Sequence, residues 1–241
     1  MKAIYRVLLF SFLVFTPSLV QAQVLITLLF GDALNTDKIE FGLVGGLNRS
    51  YINTISTSEG MNNFNLGFYF HVNLKNNTFL STGVNVKSNV GATGMPTYSL
   101  GDADFDSLFL DGTFTRKLPV FYVPILLHQR FNNRWYIEGG LQLGLIHKAE
   151  HIFETSQLNG TITYTTSAQD EYKHIDAGLM GGVGYKFKKR LKSTAAGINY
   201  YYGLVDVSNN SNVEVRNSSL YFYLKIPIGL GKANDKTEDS N

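Results

Sequence analysis

The chain has no cysteine, only 5 prolines and 1 tryptophan in 241 residues, and just 17% charged residues. Zero cysteines exclude a disulfide framework and any thiolate chemistry or thiolate metal site. The 21 basic and 19 acidic residues nearly cancel, so nothing favours nucleic acid. The densest basic block is Lys186 to Lys192. After residue 30 no stretch is long and apolar enough for a membrane helix. Low charge is unusual for a chain whose polar residues would have to cover a soluble surface of this size.

What the chain has in quantity is alternation. In residues 64 to 74, FNLGFYFHVNL, every even position is apolar (Phe64, Leu66, Phe68, Phe70, Val72, Leu74). The odd positions are Asn65, Gly67, Tyr69, His71 and Asn73. Side chains alternate faces along a strand, so the segment has one apolar and one polar face. At a rise of about 3.3 Å per residue and a tilt of roughly 40°, it spans about 27 Å, the height of an outer-membrane barrel's apolar band.

Seven further segments repeat the pattern. Near 38–52, Ile39, Phe41, Leu43 and Leu47 oppose Glu40, Gly42, Gly46 and Asn48; in 79–88, Leu80, Thr82, Val84 and Val86 oppose Ser81, Gly83, Asn85 and Lys87. In 114–131 the outward set is Phe121, Val123, Ile125, Leu127 and Phe131, with His128 and Arg130 inward; 135–147 sets Trp135, Ile137, Leu141, Leu143 and Leu145 against Tyr136, Glu138 and Gln142. Three more follow at 173–187, 193–204 and 217–228. The connections alternate between short turns (75–77, 132–133, 188–190) and long polar loops (53–63, 89–113, 148–172, 205–216). This asymmetry predicts an all-β, eight-stranded antiparallel up-and-down transmembrane β-barrel, with short periplasmic turns and long external loops. Phe41, Phe79, Phe131, Trp135 and Phe187 are expected at the turn-side rim; Tyr51, Phe64, Phe114 and Tyr202 at the loop-side rim. A soluble lipocalin-like barrel also alternates, and is the rival reading. Pro119 and Pro124 fit a closed strand poorly and imply a bulge or late strand start, with Pro119 outside the bilayer.

The ends support export. Lys2 and Arg6 precede an apolar run to Val20, and Val20-Gln21-Ala22 suits cleavage after Ala22, so residues 1–22 are read as a signal peptide. A signal anchor is the alternative; Pro17, Gln21 and Gln23 interrupt it. Cleavage of 22 of the 241 residues leaves 219, with 19 charges of each sign. Residues 23–37 then form an apolar segment before strand 1, as a plug at the periplasmic mouth or as part of a longer leader. The barrel occupies 38–230, and 231–241 a polar periplasmic tail.

The stretches at 24–48, at 122–144 (YVPILLHQRFNNRWYIEGGLQLG), at 174–191 (HIDAGLMGGVGYKFKKRL) and at 198–207 resemble the outer-membrane β-barrel family of Bacteroidetes-type bacteria, known as porin-like or PorT-like. The resemblance implies an eight-stranded barrel in the cell outer membrane; some PorT-type members are linked to assembly of a protein secretion apparatus. It supplies no catalytic motif.

For function, the inward set adds Glu40, His71, Lys87, Lys148, His174, Asp176, Lys186 and Lys225 to His128, Arg130 and Glu138. An eight-stranded lumen is just wide enough to be filled by such side chains, whereas wide aqueous pores need about 16 strands. His147, Glu150, His151, Glu154 and Ser156 lie near the loop-side rim, where a lipid A hydrolase or acyltransferase would work, but no nucleophile–base spacing is diagnostic. Their histidines also lack a third well-spaced metal ligand. Asp102, Asp104 and Asp106 could offer oxygens to calcium, without the glycine and distal glutamate of an EF-hand. The expectation is a monomeric envelope scaffold or binding protein, tied to secretion, with outer-membrane lipids and envelope proteins as partners, and no catalytic, cofactor or metal site. The lipid-modifying enzyme is kept as the alternative.

Overall fold

The computed structural model describes residues 38–157, 160–189, 192–210 and 213–228; the signal peptide, the 23–37 segment and the tail lie outside them. Among the described residues eleven antiparallel strands are formed. Eight close into a ring: β1 (Ile39–Ile52), β2 (Glu59–Lys75), β3 (Thr78–Lys87), β5 (Thr113–Phe131), β6 (Trp135–Ile146), β9 (Ile175–Lys186), β10 (Ala195–Gly203) and β11 (Asn217–Pro227). Each pairs with the next in that order, and β11 returns to β1 through Gly42↔Pro227 to Ile52↔Asn217. Closure leaves the ring no free edge.

Three further strands stand on the loop end. β4 (Asn89–Pro96) prolongs β3 after Ser88, pairing with β5 and with the first residues of β2. β7 (Glu150–Gln157) prolongs β6 and pairs with Thr113–Lys117 of β5; β8 (Gly160–Ser167) pairs with β7. The expected loop 148–172 is therefore mostly sheet, and 89–113 opens with a strand. A six-residue helix, α1 (Ala103–Leu108), sits between β4 and β5.

The outward parity holds around the ring. Phe64, Leu66 and Leu74 are exposed while Asn65, Tyr69 and His71 are buried, and Ile137, Leu141 and Leu145 alternate with buried Glu138, Gln142 and Ile146. Phe131, Trp135, Phe187, Phe64 and Tyr202 are exposed at the rims as expected. Four aromatics are not, Tyr51 being half-buried beside Arg49. Phe79 points inward under the Arg130 guanidinium (4.0 Å to the ring centroid), and Phe114 belongs to the loop-end core. Phe41 keeps the outward register opposite Phe70 but is buried, packed on Phe68 and Phe70.

Pro124 makes no bulge, whereas the ladder steps by one residue beside Pro119, from Asn85↔Tyr122 to Asn89↔Pro119 on one side and from Val120↔Ile146 to Lys117↔Glu150 on the other. Pro124 pairs in register with Gln142 of β6. Towards β3 the ladder skips Val123 and Pro124 but resumes in the same register, Thr82↔Ile125 and Asn85↔Tyr122. Pro124 lacks a donor, so the local ladder lapses without a slip. Pro119 pairs with Asn89 in the loop-end extension. At the other end, Asn132 and Asn133 both take positive φ (47° and 50°), the pair of left-handed residues a tight hairpin turn needs.

Candidate functional site

Inside the ring, polar side chains stack in layers. Nearest the turns, Arg130 Nη2 donates to Glu40 Oε2 (3.1 Å) and Tyr69 OH to Glu40 Oε1 (2.8 Å). Arg130 Nε lies 3.2 Å from His128 Nε2, and His128 Nδ1 lies 3.1 Å from Glu138 Oε2. Lys225 Nζ (2.9 Å), Asn199 Nδ2 (2.7 Å) and Tyr223 OH (2.9 Å) complete the shell of Glu138. Two carboxylates are thus matched by one arginine and one lysine, with His71 and His128 between them. Such a buried network holds only when its members are mutually satisfied.

His71, His128 and Glu138 bring one ligand atom each within 4.8 Å of the others. Arg130 and Lys225 already engage those atoms: His71 Nδ1 faces Arg130 Nη2 at 3.1 Å and its Nε2 faces Lys225 Nζ at 3.4 Å. Two fixed cations at the donor atoms do not fit a metal site.

Towards the loops, Asp176 accepts from Tyr122 OH (2.7 Å), Tyr201 OH (2.8 Å) and Asn217 Nδ2 (3.0 Å). Between the layers lies a cavity of about 50 Å³, and a second of about 10 Å³ lies beside Arg130. Each water needs roughly 10–15 Å³, so these voids admit a few waters and no larger solute. Above Asp176 an apolar core fills the loop end: Val90, Leu118, Val120, Ile146, Phe153 and Val207 are among its fully buried members. The barrel is packed along its length.

Of the expected lumen residues, Glu40, His71, His128, Arg130, Glu138, Asp176, Lys186 and Lys225 are buried as read. Lys87, Lys148 and His174 are exposed. Lys87 reaches over the Phe64 ring, Lys148 pairs with Glu150 at 2.6 Å, and His174 precedes β9. Lys87 is turned to the outer face by the register shift beside it, pairing with exposed Leu66; Lys148 lies between β6 and β7, where the buried face passes from Ile146 to Ala149 and His151; His174 lies just before β9.

The rim histidines are separated by parity. His147 faces outward, its ring stacked on Phe121 at 4.4 Å. His151 is buried within the extension, Nδ1 2.6 Å from Tyr98 OH and Nε2 2.7 Å from Tyr172 OH. Glu150 faces the other side of β7, held by Lys117 and Lys148. Ser156 and Glu154 are exposed. No serine–histidine–acid unit results. Burial, with the Arg116 guanidinium beside it, pushes His151 down to about 4, and Arg116 in turn lies over the rings of Phe114 (5.8 Å) and Tyr172 (5.4 Å). Burial, with the Glu171 carboxylate nearby, pushes Tyr98 up to about 12.

The aspartates also have structural employment. Asp102 caps α1, its Oδ1 accepting from the backbone N–H of Asp104 (3.0 Å) and Phe105 (3.2 Å). Asp106 accepts from Ser99 Oγ (2.5 Å) and the Leu100 N–H (2.6 Å), which hold its carboxyl below the usual range. Asp102 and Asp106 are thus turned to different backbone partners, not to a shared centre.

What sequence reading missed is the outer surface of the extension. Seven of the eight residues of β8 are exposed and Thr166 is half-buried, and Phe105 and Tyr164 meet there at 5.1 Å. The cue was the sequence GTITYTTS at 160–167, uncharged, β-branched and alternating.

A closed antiparallel ring with an apolar outer belt and a packed polar lumen defines the class, a transmembrane β-barrel. The chain belongs to the outer membrane protein beta-barrel domain family, whose profile matches residues 21–209, and its place is the outer membrane. The long connections and the β4, β7 and β8 extension therefore face the exterior. No protein of curated function matches the sequence. Among solved structures, the chain is similar to Ail, the attachment invasion locus protein of Yersinia pestis, solved in complex with the heparin analogue sucrose octasulfate (10% identity, 78% of this chain and 97% of that chain, TM-score 0.43). It is also similar to Neisserial surface protein A (11%, 78% and 96%, TM-score 0.38) and to OprG from Pseudomonas aeruginosa (10%, 79% and 94%, TM-score 0.32).

Proposed function

We infer that this protein is a non-enzymatic envelope scaffold or binding protein that works through its external extension, as a monomer surrounded by outer-membrane lipid. The observation that carries this reading is the contrast between a filled barrel and an elaborated exterior. Among the described residues the lumen is filled by charged and aromatic layers with cavities of about 50 and 10 Å³ between them, while three strands and a helix are built on the loop end. A barrel that neither conducts nor aligns a nucleophile with a base leaves its outer surface as the functional part.

The PorT-like resemblance extends this to a link with assembly of a secretion apparatus, its partners being other envelope proteins. The test replaces residues 89–112 and 148–173 with short turns. The ring then still folds, seen as heat-modifiable migration on a detergent gel, but the shortened protein does not restore whatever surface-protein export is lost on deletion. Full restoration by the shortened protein would refute the reading. The lipid-modifying alternative predicts altered lipid A masses on expression.

A further inference from the structure

The ring has no edge, but the extension has one. β8 pairs with β7 through Glu150↔Ser167 to Gln157↔Gly160. It ends the sheet path β6–β5–β7–β8, and among the described residues no strand pairs its other side. An eight-residue edge of this kind presents about four N–H donors and about four carbonyl acceptors. Natural edges are blunted by lysine, proline, a bulge or a covering helix. Residues 160–167, GTITYTTS, carry no charge and no proline, and the β7–β8 register runs without a shift.

We propose that β8 is a strand-addition site, where an extended segment of another protein outside the cell pairs antiparallel to Gly160–Ser167. The two faces of β8 state what that segment must look like. Ile162 and Tyr164 share one face; Tyr164 lies opposite Phe153, and Phe105 of α1 packs on it. All three are partly exposed (39%, 37% and 40%). Thr161, Thr163 and Thr165 form the opposite face. An added strand continues these faces, so its apolar residues alternate with hydroxyl or amide residues. The backbone supplies the affinity and the Ile162–Tyr164–Phe105 strip the register.

Direction selects the occupant. β8 leads into β9 and so runs towards the membrane. Copies in one membrane are related by rotation about its normal, so their β8 strands run the same way. They meet only in parallel, the less stable pairing. An antiparallel occupant runs away from the membrane, as β7 does, which a foreign segment can do.

The inference rests on the external-binding reading above, and its test is separable from that one. The probe is a fluorescent octapeptide of alternating valine and threonine with a charged solubilising tail, titrated against the full chain folded in detergent. Saturable binding by the wild type is expected. Methylation of alternate peptide nitrogens weakens it at least about tenfold, because each methyl removes a donor to the β8 edge. Thr163→Pro abolishes it; the double variant Thr163→Lys, Thr165→Lys, which leaves the β7–β8 backbone ladder intact, weakens it likewise while heat-modifiable migration stays unchanged. Bound peptide slows amide exchange within residues 160–167. Absence of saturable binding, equal binding of the methylated peptide, or indifference to both variants would overturn the proposal. So would concentration-dependent dimerisation that is lost in the lysine variant, since the occupant would then be a second copy. If the peptide fails while the shortened extension still loses function, the edge is wrong and the external reading stands.

Discussion

Glu138 is met by four polar side chains in the lumen, and its charge is stable there because Lys225, His128, Asn199 and Tyr223 converge on it. Removing Lys225 leaves a buried carboxylate short of its cation. Breaking a buried pair from one side costs about 3–5 kcal/mol, whereas replacing both partners is far cheaper. Lys225→Met should therefore lower stability in urea titration by about that amount, and Glu138→Gln with Lys225→Met by clearly less than the sum of the singles. His151 gives a pH dependence. Its folded value near 4 lies below the ordinary 6.5, so the folded extension takes up fewer protons than the unfolded chain between those values. Its contribution is complete above about pH 6.5 and is lost as pH falls towards 4. The protection factors of amides across residues 150–167, corrected for the intrinsic pH dependence of exchange, should fall over that interval, and His151→Asn should flatten the dependence.

At the scale of the strand, glycine tests which way each face points. Gly181 and Gly182 are neighbours on β9. A Cβ at Gly181 meets only the Glu138 carbonyl, at 3.6 Å, whereas at Gly182 it would lie 2.0 Å from Asn199 Oδ1 and 2.1 Å from the Ile198 carbonyl. Gly181→Ala should be close to neutral in thermal unfolding and Gly182→Ala should cost about 1–3 kcal/mol as an overpacked position. The same parity explains what could be read from sequence. Wherever lipid lies on one side and packed lumen on the other, alternation located the strand, its ends to within a residue or two, and the buried Glu40, His71, His128, Arg130 and Glu138. It also began β2 five residues late, because MNN at 61–63 has no apolar partner face. β4, β7 and β8 escaped for a related reason: above the lipid the outer face is no longer apolar, so polar outer residues and short strands read as loop. Phe79 and Phe114 were placed on rims because an aromatic near a strand end fits a girdle as well as a core; only neighbours far away in sequence, such as Arg130 and Phe153, decide.

At the scale of the molecule, the barrel is a closed anchor with a sheet built on its external end. Because the chain has no cysteine, single cysteines report position against a clean background. The central claim is that Leu141 faces lipid in mid-barrel while Thr163 stands outside the cell. The direct measurement is labelling of Leu141→Cys and Thr163→Cys on intact cells with a membrane-impermeant maleimide. Rapid labelling at 163 and none at 141 until the membrane is dissolved is the expected result. Labelling at 141 as fast as at 163 would contradict the account, since the apolar belt would then face water.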